Sequence, residues 1–116
     1  MKSYTDLKQS KKLIKILPIE SADWHWEILH FSPKDNILEY EDTPKPGVSK
    51  EYLPCWSLAA LYEILGSPVL GKTDRYFVTL YCDDKEGNMK QMTCTADNHV
   101  DACVDMIRKL HEQKLL

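Results

Sequence analysis

Apolar positions along the chain fall into two periods. Over residues 3–17, Leu7, Ser10, Ile14 and Leu17 share one side at helical spacing with Leu13 beside them, and Lys8, Lys11, Lys12 and Lys15 take the other. That pattern predicts an amphipathic helix with Ser3 or Thr5 as its N-cap. Asp6 stands where a capping-box acid would, and Pro18 is its stop. At 24–31 the period drops to two: Trp24, Trp26 and Ile28 alternate with His25, Glu27 and Leu29, which predicts a strand. Its indoles are expected on the buried face, where truncating either costs about 3–5 kcal/mol. Ser32, Pro33, Asp35 and Asn36 carry turn chemistry. Ile37-Leu38-Glu39-Tyr40 is expected to return as the partner strand, because the connection to Pro54 is otherwise a longer structureless loop than compact domains use. Thr43-Pro44-Lys45-Pro46-Gly47 reads as a surface loop.

The stretch 54–66 reads as a short, largely buried helix with its own punctuation. Ser57 is the expected N-cap, Trp56 and Leu61 have the spacing of a hydrophobic staple, and Gly66 suits the left-handed residue that ends a helix before Pro68. Leu58, Leu61, Tyr62 and Leu65 form its apolar stripe. Residues 76–82 and 89–95 predict a hairpin. Matching their apolar faces puts Cys82 opposite Met92 and Leu80 opposite Cys94, around a three-residue loop Glu86-Gly87-Asn88. In that register Cys82 and Cys94 are neighbouring thiols without a disulfide. The last helix is expected over 99–114, capped by Asn98, with Val100, Cys103, Val104, Ile107 and Leu110 inward. The order α-β-β-α-β-β-α predicts an α+β fold, an antiparallel sheet of about four strands with helices packed on one face.

Length and composition narrow the class. A chain of 116 residues fits one globular domain, 1–116, able to build a core without disulfide staples. Its longest apolar run is far short of a membrane span, and Lys2 is followed by polar residues in place of a secretory h-region. These features predict a cytoplasmic protein with no membrane association. A net charge of −3 argues against a dedicated nucleic-acid binder. Cys55, Cys82, Cys94 and Cys103 form no C-x-x-C pair and read as reduced thiols packed as small hydrophobes.

The motifs that suggest chemistry dissolve under scrutiny. His25-Trp26-Glu27 with Pro54-Cys55 is reminiscent of the zinc deaminase pattern, but position 58, where the second thiolate belongs, is Leu. His111-Glu112 lacks the second histidine of a zincin helix. Asp83, Asp84, Glu86 and Asn88 join two strands and include Lys85 between them, which suits a solvated hairpin tip better than a calcium loop. No catalytic residue, metal site or cofactor is assigned. Two weaker readings keep named residues: Lys8, Lys11, Lys12 and Lys15 as a phosphate-tracking face for a nucleic-acid accessory protein, and Cys55 as a thiol nucleophile whose pKa a helix N-terminus lowers.

Pro54-Cys55-Trp56-Ser57-Leu58-Ala59-Ala60-Leu61, with Ser21-Ala22-Asp23 upstream and Asp101-Ala102-Cys103-Val104-Asp105-Met106-Ile107 downstream, resembles a group of small proteins from Bacteroides-type gut bacteria and their phages and mobile elements. The matching motifs are structural ones, so the resemblance transfers no activity and no functional residue. The expected function is that of a non-enzymatic interaction or regulatory module, acting on an unidentified protein partner or by self-association through an open sheet edge.

Overall fold

A computed structural model describes residues 2–31, 48–83 and 86–116. The turn expected at 32–36, the partner strand at 37–40 and the loop at 43–47 lie outside the described residues. Among the described residues the architecture is α+β, with three α-helices and two antiparallel sheets.

Helix α1 spans Leu7–Leu13, shorter than the periodicity implies. Its N-cap is Asp6, whose carboxylate accepts from the Gln9 backbone N–H while the Gln9 side chain accepts from the Asp6 N–H, a complete capping box. Ser3 and Thr5 are occupied elsewhere. Tyr4 bridges Ser57 in antiparallel fashion, with Thr5 N–H donating to the Trp56 carbonyl and Leu58 N–H to that of Ser3. Ser10, Leu13 and Leu17 are buried as expected, but Leu7 and Ile14 are exposed. The chain then makes a 3-10 turn, Ile19–Ser21, behind Pro18.

Strand β1, Trp24–Phe31, has the expected bounds, and its partner is β2, Val48–Cys55. Trp24 faces Cys55 and Trp26 faces Leu53 across the ribbon. Cys55 and Leu53 are buried on this side. The two indoles are not core, against expectation: Trp24 is 60% exposed and Trp26 40%. A two-stranded ribbon has no second layer along its whole length, so strand alternation sorts its faces without burying either one completely.

Helix α2, Leu58–Ile64, confirms its punctuation. Ser57 Oγ accepts from Ala60 N–H, and Gly66 at φ +73° closes a Schellman motif in which Gly66 N–H bonds Glu63 O and Ser67 N–H bonds Tyr62 O. Leu61 and Leu65 are buried with Ala60, while Ala59, Tyr62 and Glu63 face out, so the helix is half buried rather than largely so.

The second sheet is β3-β4-β5, made by Val69–Lys72, Tyr76–Asp83 and Met89–Ala96. The five described strands thus form two sheets, not a single sheet of four. The short β3 is an addition to the expected order. The hairpin register is slipped by two from the expected one: Leu80 faces Met92, Val78 faces Cys94, and Asp83 faces Met89 around residues 84–88. A slip of two keeps every side chain on its face, so apolar alternation cannot distinguish the two registers. Cys82 consequently pairs with Lys90, away from Cys94.

Helix α3, His99–Glu112, packs on this sheet and on α2. Asn98 caps it through Asp101 N–H, and the whole expected stripe is buried, from Val100 to Leu110. Its core with Val78, Met92 and Ala96 extends through Leu61 and Trp56 to Leu13 and Leu17.

Candidate functional site

The corner where β2 turns into α2 anchors the surroundings of the site. Trp56 has no exposed surface, and its indole N–H donates to Ser21 Oγ at 2.9 Å. Ser21 Oγ in turn donates to the Pro18 carbonyl at 2.6 Å. Asp23 clamps Ser57 twice, one carboxylate oxygen accepting the Ser57 backbone N–H at 2.9 Å and the other its hydroxyl. Ser57 Oγ donates to Asp23 and accepts from Ala60 N–H, so this hydroxyl is a cap fixed by a carboxylate. Among the described residues, no buried side-chain nitrogen or oxygen lacks a hydrogen-bond partner.

These bonds fix the segment 18–23 beside the start of β1, and a groove of about 570 Å³ opens there. Ile19, Ala22, Trp24, His25, Tyr52 and Pro54 line it. Its volume lies within the range of small-ligand and peptide pockets. The rings run in a chain across the ribbon. Tyr4 stacks on Trp24 at 5.9 Å, Trp24 on His25 at 6.4 Å, and His25 meets Tyr52 edge to face at 5.2 Å. Trp26 holds the arrangement to the amino-terminal segment through an indole N–H bond to the Thr5 carbonyl at 2.9 Å. Ile19, Trp24 and Tyr52 are 57%, 60% and 59% exposed, so these large apolar groups meet water on a scaffold that fixes their positions.

The residues singled out from sequence lie apart from one another. Lys8, Lys11, Lys12 and Lys15 are exposed on or just after α1, and none of them has a carboxylate partner among the described residues. Cys55 is completely buried, beneath the ribbon. Burial pushes its thiol up, and the Asp23 carboxylate adds to the shift. This is opposite to the lowering expected from the helix N-terminus, and it keeps the sulfur protonated at neutral pH. Burial also raises Cys94, with Lys109 opposing and Asp105 reinforcing, and burial next to Cys94 pushes Cys103 up to about 12. His25 pairs with Pro54 on the ribbon face away from Cys55, so the histidine and the thiol of the deaminase-like pattern point to opposite sides. Among the described residues, no three His, Cys, Asp or Glu side chains are grouped to hold a metal ion. No helix among them is long and apolar enough to cross a membrane.

Sequence reasoning missed Tyr4, Ile19 and Tyr52 as members of a common surface. Tyr52 follows Lys50 and Glu51, which mask the strand alternation, and Ile19 sits in a one-turn helix with no periodicity to detect. The signal the sequence does carry is the alternation of Tyr52 with Leu53 just before Pro54 and Cys55, which lie opposite His25 and Trp24. Comparison with protein-family models, with curated proteins and with solved structures finds no match to this chain.

Proposed function

We propose that the chain is a non-enzymatic interaction module of phage or mobile-element origin, and that it contacts its partner through the aromatic groove on β1 and β2. The observation that carries this reading is the exposure of Trp24 and Tyr52, which line one groove with His25, the ring that links them, and Pro54. Aromatic residues in such a setting are the usual anchors of binding interfaces. The polar residues that could suggest catalysis have structural work instead: Ser57 caps α2, Asp23 holds Ser57, and the Cys55 thiol is buried and protonated. Affinity capture from the cells that carry the protein tests the reading. A partner retained by the wild-type chain is expected to be lost with a Trp24→Ala/Tyr52→Ala variant of unchanged melting temperature. Identical capture by both proteins would move the contact surface elsewhere.

A further inference from the structure

Ala22 is a wall of the aromatic groove. That residue also lines a second cavity of about 690 Å³, whose other walls include Glu20, Asp23, Tyr62 and Glu63. The two cavities therefore adjoin, one apolar and aromatic, the other acidic. The described walls of the first hold no carboxylate, and those of the second hold three with no lysine or arginine. Asp23 has both oxygens engaged by Ser57 and contributes charge alone. Glu20 and Glu63 have no ion-pair partner among the described residues.

We propose that the joined cavities bind an extended peptide that is both proline-containing and basic, with a proline against Trp24 and Tyr52 and an arginine or lysine against Glu20 and Glu63. The inference rests on the reading of the groove as the contact surface and adds the chemistry of the partner. Aromatic-lined grooves take proline rings at low entropic cost, because the polyproline II conformation is already formed in the free peptide. Carboxylates beside the exposed Tyr62 ring suit a guanidinium or ammonium, through charge-assisted bonds and ring-face attraction. A single-stranded nucleic acid could stack on the same rings, but its phosphates would meet three carboxylates at the adjoining wall.

Isothermal titration of the full chain with three synthetic probes tests the proposal: a peptide of the repeat Pro-Pro-Arg, one of the repeat Pro-Pro-Gln, and an oligothymidylate. The arginine peptide is expected to bind at least ten-fold tighter than the glutamine peptide. Glu20→Gln/Glu63→Gln should remove that difference, and added salt should weaken only the arginine peptide. Trp24→Ala and, on the other strand, Tyr52→Ala should each cost ten-fold or more, with melting temperatures unchanged. Equal binding of the two peptides overturns the basic specificity and leaves the groove reading intact. Binding of oligothymidylate in place of the peptides overturns the inference in favour of nucleic acid. Failure of all three probes, with capture still dependent on Trp24 and Tyr52, overturns the peptide chemistry alone. Failure of the probes together with capture indifferent to those residues overturns both readings.

Discussion

Trp56 directs its indole N–H to Ser21 and its backbone N–H to Thr5 Oγ1, and it leaves no surface to solvent. Trp24 has the same side chain, but it lies on an uncovered ribbon and keeps 60% of its surface in water. The difference lies in what sits around each ring: Trp56 belongs to the core cluster shared by the helices and the second sheet, whereas Trp24 stacks on Tyr4 and His25 at the surface. Truncation should separate them. Trp56→Ala is expected to lose about 3–5 kcal/mol, through the cavity and the loss of the indole N–H bond to Ser21. Trp24→Ala is expected to lose less than about 1 kcal/mol, as exposed positions do. Urea denaturation midpoints measure both, and comparable losses would contradict the burial assigned to each ring. From sequence alone the two could not be ranked, because strand parity says which residues share a face and is silent on whether another layer covers it.

At the scale of the element, the caps of α2 and α3 were the most legible features, whereas that of α1 fell on Asp6 and not on Ser3 or Thr5. Asn98 and Ser57 each stand directly before an apolar period, and Gly66 directly after one, so local chemistry and packing agree on the boundary. Gly66 offers a clean test. Its φ is +73° and an added Cβ would meet nothing within 4 Å, so Gly66→Ala is expected to cost about 1–2 kcal/mol by backbone conformation alone. Ser67, a non-glycine at φ 60°, should tolerate Ser67→Gly without loss, and both shifts can be read from thermal melts. A Gly66→Ala protein as stable as wild type would show that the chain end of α2 is not held in the Schellman geometry. The strands were harder to read. In β2, the run Ser49-Lys50-Glu51 hides the alternation and Pro54 argues against a central strand, a position it does not occupy because β1 is the one strand paired with β2 among the described residues. The four-residue β3 includes Gly71, which sits against the Phe77 ring where a Cβ would come within 2.3 Å, so the very residue that permits the pairing weakens the strand signal. The aromatic groove inherited the first of these omissions, since Tyr52 and Pro54 come from β2, and Ile19 comes from a one-turn helix with no period of its own.

Across the whole molecule, the amino-terminal segment is tied to the start of α3 through Asp101. Its carboxylate accepts from Lys2 Nζ at 2.7 Å, from Gln9 Nε2 at 2.7 Å and from Asn98 Nδ2 at 2.9 Å. Partial burial alone would raise the Asp101 pKa, but these donors outweigh it and hold the carboxyl below its ordinary value of 3.8. The Gln9 backbone N–H and, beyond it, Lys2 likewise lower Asp6 against the opposing effect of burial. Burial works against the Lys2 charge, and its bonds to Asp101 and Asp6 still raise it above 10.5. A carboxyl lowered in the folded state stabilises fully above its unfolded value and loses that contribution as pH falls through the folded one; a raised ammonium stabilises below its unfolded value and loses it as pH rises through the folded one. Stability is therefore expected to fall below pH ~4. Asp101→Asn should make this acid limb shallower in urea titrations, and an unchanged limb would remove Asp101 as its source. These contacts also carry a kinetic consequence. Thr5 and Trp56 are 51 residues apart in the chain, Gln9 and Asp101 are 92 apart, and Lys2 and Asp101 are 99 apart. Each closes a long loop, and the closure entropy must be met before the bond forms. Lys2 and Gln9 therefore lack their Asp101 partner until α3 exists, and distant closures, rather than the quick local helices, set the pace at which the molecule completes itself.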